Sequence, residues 1–194
     1  MIAPFFGAYC GISMKLDSRS LRLVCLTGFM GAGKSTVARL LARQTGWEYI
    51  DLDSRVVEAT GLSIPEIFSR SGEAAFRRVE TEQLSRALGE AAAGGKKRII
   101  SLGGGTTVQP QNLDMLREHQ ATLIWLDCPV DELLRRCAQI VDRPLFRDEA
   151  AFRSLFEQRR PIYELADFRV ESDAEPLRIV EQILSLGIFP KVVA

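Results

Sequence analysis

Residues 28–35 read Gly28-Phe29-Met30-Gly31-Ala32-Gly33-Lys34-Ser35 and match G-x-x-x-x-G-K-[ST] at every specified position. The spelling has a chemical reason. A phosphate chain is held by backbone N–H groups that converge on it, and glycines let the backbone wrap without Cβ obstruction. A helix that opens at the end of the loop directs its positive N-terminus at the anion. Lys34 adds a flexible point charge for the β- and γ-phosphates, and the Ser35 hydroxyl is suited to ligate Mg²⁺. The loop therefore predicts an ATP site built from Gly31, Ala32, Gly33, Lys34, Ser35 and Thr36. Chance produces such a match in fewer than about one chain in a hundred of this size.

A phosphate loop does not choose among GTPases, motor ATPases and kinases, so the acids and arginines that follow matter more. Asp51-Leu52-Asp53 ends the next short apolar run. A lone D-x-D reads as two solvated turn acids; directly after the βα unit of a phosphate loop it reads as functional. In extended backbone, residues two apart face one side, so both carboxylates would address one cleft. One would organise a Mg²⁺ hydration shell and the other would hold a substrate hydroxyl. Gly103-Gly104-Gly105 is either a flexible turn or a place where backbone approaches a ligand closely. Arg77 stands three residues before Glu80, a spacing that lets the acid orient the guanidinium. In the helical stripe Phe152, Leu155, Phe156, Ile162 and Tyr163, Arg159 is central and Arg160 falls at the edge, so Arg159 is the one that must find an anion. A structural ion pair would also satisfy it. Arg143 and Arg147 sit among acids in a polar segment that reads as a solvated loop, or as a lid that keeps water from a reacting phosphate.

The elements that must position these residues alternate. Leu21–Thr27, Glu48–Asp51, Arg98–Leu102, Ala121–Asp127 and Phe168–Val170 read as strands, and between them run helix-period segments. The predicted helices are Ser35–Gln44, one starting at Ser63 with Glu66 in capping-box spacing, a longer one after Gly72, then Asp131–Ala138, Ala150–Tyr163 and Pro176–Leu186. This is the α/β pattern of a parallel sheet with helices on its faces. Residues 1–20 are expected to be a mobile extension and 21–194 a single P-loop domain with a lid at about 139–149.

The order GFMGAGKST, DLD, SIPEIFSRSGEAAFRRVE, SLGGGT, DRPLF and RRPIYELAD resembles the shikimate kinase family from Leu21 to about Leu186. The middle block and the triple glycine are more diagnostic than the phosphate loop. The resemblance implies a three-layer αβα fold of the nucleoside-monophosphate-kinase type, with a five-stranded parallel sheet and a mobile lid. It also implies transfer of the γ-phosphoryl of ATP to the 3-hydroxyl of shikimate. Carried over by residue, it implies that Asp53 holds the ring hydroxyls near the attacking oxygen. Arg77 and Arg159 would anchor the carboxylate, and Gly103, Gly104 and Gly105 would form the floor under the ring. Arg136 would stack on adenine, and Arg143 would reach the transferring phosphoryl. Lys34, Asp53 and Arg143 become the catalytic set, with Ser35 and, through water, Asp51 at the Mg²⁺. The stretch Ser172-Asp173-Ala174-Glu175 departs from the basic or polar residues that family members often carry near the adenine.

Bulk properties agree with small-molecule chemistry. Lys+Arg and Asp+Glu both number 25, so the net charge of zero argues against a nucleic-acid or membrane-surface protein driven by global charge. Cys10, Cys25, Cys128 and Cys137 lack C-x-x-C spacing and read as packing residues of a reduced, cytoplasmic chain. The single histidine, His119, reads as a solvated helix end. No apolar run reaches membrane-span length, and the apolar opening lacks the basic start of a signal peptide. The expected partners are ATP and shikimate alone, bound by a monomer. A kinase of the same fold acting on gluconate, or a nucleotide-binding regulator without catalysis, are the rival readings.

Overall fold

The computed structural model describes residues 21–138 and 148–190. The extension over residues 1–20, Arg143 and Arg147, and most of the expected lid lie outside the described residues. The described strands are β1 (Leu23–Thr27), β2 (Glu48–Asp51), β3 (Arg98–Ser101), β4 (Thr122–Asp127) and β5 (Phe168–Glu171). They form one sheet in the order β2-β3-β1-β4-β5, and every neighbouring pair is parallel. The phosphate-loop strand is thus central, and the strand that ends in the triple glycine lies between it and the strand that ends in Asp51.

The helices are α1 (Lys34–Thr45), α2 (Leu52–Thr60), α3 (Ile64–Gly94), α4 (Pro110–Glu118), α5 (Val130–Ala138), α6 (Glu149–Tyr163) and α7 (Pro176–Ser185). Alternation along β1 splits the core into two. Val24 and Leu26 pack with Val37 and Leu41 of α1 and with Ile179 and Ile183 of α7. Leu23 and Cys25 pack with Leu84 and Leu88 of α3 and with Leu113 and Leu116 of α4. Both faces are covered, which is why the strands read as continuous apolar runs rather than as alternating ones. This is the expected three-layer αβα arrangement. Cys25, Cys128 and Cys137 are buried free thiols within it, while Cys10 lies outside the described residues. No helix among the described residues is long and apolar enough to cross a membrane.

Two helices, α2 and α4, lie outside the helical spans given above, and α2 corrects the reading of the backbone at D-x-D. The backbone is not extended through Asp51-Leu52-Asp53. Asp51 is the N-cap of α2, accepting from the Ser54 backbone N–H at 3.1 Å, and Asp53 already stands in the first helical turn. An aspartate at a strand's end competes well for free helix N–H groups, and Leu52 and Val56 then bury one face of the helix. The other helix, α4, starts at Pro110, whose fixed φ and missing N–H suit a first turn. His119 is its exposed C-cap.

The two helices expected on either side of Gly72 are one element with a break. Ser63 caps its start with the full reciprocal capping box to Glu66, and Gly72 interrupts it at φ 77, ψ 173. That break sets the direction of the second half, which carries Arg77 and Glu80. A Cβ at Gly72 would meet nothing within 4 Å, so an alanine there would be opposed by backbone conformation alone. Gly72→Ala is expected to cost about 1–3 kcal/mol, because that φ/ψ region is essentially glycine-only. The measurement is the urea unfolding midpoint, which should fall without a change in slope.

Candidate active site

The phosphate loop bends through positive φ at Gly28, Gly31 and Gly33, and α1 opens at Lys34. Lys34 Nζ donates to the Gly28 and Phe29 carbonyls at 2.9 and 3.0 Å, so its ammonium is held at the loop's own backbone. The Ser35 hydroxyl lies 3.2 Å from that of Ser101, the last residue of β3. Phe29 is locked from below by edge-on contacts with Phe152 and Phe156 of α6, at 5.0 and 5.4 Å between centroids. Helix α6 is therefore fixed directly to the loop, and it carries Arg159 and Tyr163.

The three glycines after β3 are packed on every side. A Cβ on Gly103 would sit 2.6 Å from Glu80 Oε1 and 3.0 Å from both Asp53 Oδ1 and Thr106 Oγ1. One on Gly105 would fall 2.6 Å from Arg77 Nη1. One on Gly104 would face the phosphate loop instead, 3.4 Å from Met30 N. At Gly103 and Gly105 the requirement for glycine is one of space, whereas a Cβ at Gly104 would stand at ordinary van der Waals distance. Asp53, Arg77 and the phosphate loop are thus brought to one short strip of backbone. Arg159 joins them, with Nη1 at 3.4 Å from the Gly104 carbonyl and its guanidinium over the Phe29 ring at 5.7 Å. Arg160 points away and pairs with Glu164 on the exposed face, as the stripe required.

Several positioning groups have no motif of their own. Glu80 is completely buried, and its carboxylate accepts from Arg77 Nη1 at 2.8 Å and from Thr106 Oγ1 at 2.6 Å. A buried carboxylate needs such partners, and here they lock Arg77 into place beside Gly105. Asn112 of α4 donates to the Thr106 carbonyl at 3.0 Å, and Thr107 meets Thr27 of β1 at 3.0 Å, so the glycine loop is held from both sides. The unanticipated α4 is its clamp. The spacing Pro110-x-x-Leu113-x-x-Leu116 was the available signal. Tyr163 is fully buried and its hydroxyl donates to the Gly104 carbonyl at 2.5 Å. Burial pushes that hydroxyl up to about 12, against the opposing pull of Arg159 and Arg77.

Arg136 lies on the far side of the loop. It pairs with Glu132 at 2.7 Å and reaches the Gly31 carbonyl at 3.4 Å. Hydrogen bonds from Arg135 and then Arg136 bring Glu132 down to about 2. In the departing stretch, Ser172 is buried with its N–H on the Asp127 carbonyl at 2.7 Å, so it faces inward.

A glycine loop between a central parallel strand and a helix, next to an acid and two arginines gathered on one backbone strip, defines a P-loop phosphotransferase. A family model described as shikimate kinase matches residues 30–186. A shikimate kinase of Synechococcus elongatus is 41% identical over 166 residues, covering 83% of this chain and 84% of its own. One of Persephonella marina is 37% identical, covering 84% and 98%. Among solved structures, the shikimate kinase of Aquifex aeolicus superposes with a TM-score of 0.74 at 37% identity, over 84% of this chain and 94% of its own. That of Acinetobacter baumannii in complex with shikimate superposes with a TM-score of 0.79 at 32% identity, over 88% and 97%. The chain belongs to the shikimate kinase family.

The raised Tyr163 pKa has a direct consequence. The unfolded tyrosine ionises near its ordinary value of 10.0 and the folded one near 12. The folded state therefore holds its proton longer, and this stabilisation is complete below pH 10 and lost as pH rises towards 12. Tyr163→Phe is expected to flatten part of the fall in folding stability across that interval, measured by denaturant titration at successive pH values.

Proposed function

We propose that this chain transfers the γ-phosphoryl of ATP to the 3-hydroxyl of shikimate, giving shikimate 3-phosphate and ADP on the route to chorismate and the aromatic amino acids. The observation that carries the reading is the meeting of Asp53, Arg77 and Arg159 at Gly103–Gly105, whose middle residue backs onto the phosphate loop. Shikimate is a compact polyol with one carboxylate. Two guanidinium groups suit the carboxylate, an acid suits the hydroxyls, and a side-chain-free floor suits the ring. The complex of the Acinetobacter relative with shikimate supports the same assignment.

In this reading Lys34 and the backbone N–H groups from Gly31 to Thr36 hold the triphosphate, and Arg136 flanks the adenine. Asp53 orients the attacking hydroxyl and accepts its proton late, because phosphoryl transfer passes through a loose transition state in which positioning dominates. Arg77, held by Glu80 before any ligand arrives, needs little ordering when the carboxylate binds. Arg143 completes charge neutralisation from the proposed lid over 139–149, in a single P-loop domain spanning 21–194.

The Ser35 hydroxyl and, through water, the Asp51 carboxylate would hold Mg²⁺, which would supply positive charge against that of the phosphates. The donor set suits it: the Ser35 hydroxyl and the Asp51 carboxylate are hard oxygen ligands. Among the described residues no group of three or more His, Cys, Asp or Glu could hold an ion unaided. Phosphate and water would supply the remaining ligands, which is the preference of Mg²⁺. We take the working form as a cytoplasmic monomer with two small-molecule substrates.

A coupled assay of ADP release with shikimate, with gluconate and with neither tests the reading. Release should depend on shikimate alone; release supported equally by gluconate, or by no acceptor, overturns it. Arg77→Ala is expected to raise the KM for shikimate about 10- to 100-fold with a smaller change in kcat, since it removes a charge-assisted pair. Asp53→Asn should lower kcat by on the order of 10²-fold with KM little changed. Equal losses of kcat at constant KM in both variants would contradict this division of roles.

A further inference from the structure

Tyr49, near the end of β2, takes no part in the roles described so far, yet its hydroxyl touches one of the groups they use. It donates to Asp51 Oδ2 at 2.8 Å. The second oxygen of that carboxylate, Oδ1, is occupied by the Ser54 N–H at 3.1 Å. Both oxygens of Asp51 are therefore oriented, one by the helix it caps and one by Tyr49. The phenol thus ties the end of β2 to the carboxylate that caps α2.

The proton directions follow from the chemistry. A phenol has one proton to give, and a carboxylate is the stronger acceptor, so that proton goes to Asp51. Phenylalanine would fill nearly the same volume and remove this donor.

We propose that Tyr49 is a positioning residue for the nucleotide-bound cation, its hydroxyl aligning the Asp51 carboxylate that would hold the cation's water shell. The inference rests on the reading above that Ser35 and Asp51 attend the cation. Groups that orient metal donors typically change affinity by about 10- to 100-fold when removed.

The test uses the full chain with ADP and Mn²⁺ as the paramagnetic probe, read by electron paramagnetic resonance, so that turnover is not needed. Three proteins are compared: unmodified, Tyr49→Phe and Asp51→Asn. Tyr49→Phe is expected to lose about 10-fold in Mn²⁺ affinity of the protein–ADP complex. Its metal-free ADP affinity and its melting temperature without metal should stay close to those of the unmodified chain. Full Mn²⁺ affinity in Tyr49→Phe, with a loss in Asp51→Asn, overturns the role of Tyr49 and leaves the cation site standing. A Tyr49→Phe defect of equal size in metal-free ADP binding marks the phenol as a packing group and also overturns it. Unchanged Mn²⁺ affinity in Asp51→Asn removes the reading beneath, and the proposal with it.

Discussion

Glu80 is a carboxylate taken wholly out of water, and the strip that gathers Asp53, Arg77 and Arg159 is organised by what that demands. Left unmatched, such a group would cost several kcal/mol or take up a proton. Its oxygens instead receive a guanidinium N–H from Arg77 and a hydroxyl from Thr106. The first bond fixes a cation on the second half of α3, and the second fixes the loop that leaves β3. Because the acid lies between them, helix and loop keep one spacing, and that spacing excludes a Cβ at Gly103 and at Gly105. Gly103, Gly105 and the placement of the arginine thus all follow from one buried carboxylate.

The nucleotide side is joined to this arrangement through Gly104. Its carbonyl accepts from Tyr163 and Arg159, while its Cα faces the backbone of the phosphate loop. Helix α6 supplies both donors and is itself bolted to the loop by the ring of Phe29 between Phe152 and Phe156. A displacement of any one of these three segments is felt by the other two. Close packing around a single peptide unit therefore does for this site what a longer network of contacts would otherwise have to do.

Much of this was legible before any coordinates, for reasons that differ by residue. The phosphate loop was legible because its chemistry dictates types and spacing together. Arg159 was separable from Arg160 because helical periodicity alone decides which of two adjacent side chains meets the core. At Asp51-Leu52-Asp53 the period of two fails for the backbone, because the N-cap has already ended the strand; the pair Leu52 and Val56 and the terminal Gly61 spell a helix. Glu80 as a buried acid and Tyr163 as a carbonyl clamp were not readable, since burial and donor direction arise only when segments far apart in sequence meet. Tyr49 belongs with them: as a sequence letter it is an ordinary strand aromatic.

The core is not uniform across the molecule. The two faces of the sheet bury extensive clusters, but Val56, Ile67 and Phe76 form a separate small one beneath α2 and the first half of α3. The cost of opening a region scales with the apolar surface it exposes, so this corner is expected to open at lower cost than the sheet with its two large clusters. Its amide protons should reach solvent through fluctuations that leave the strands intact. Asp53 and Arg77 are thus carried by two helices that meet over this small cluster, apart from the large ones that hold the strands.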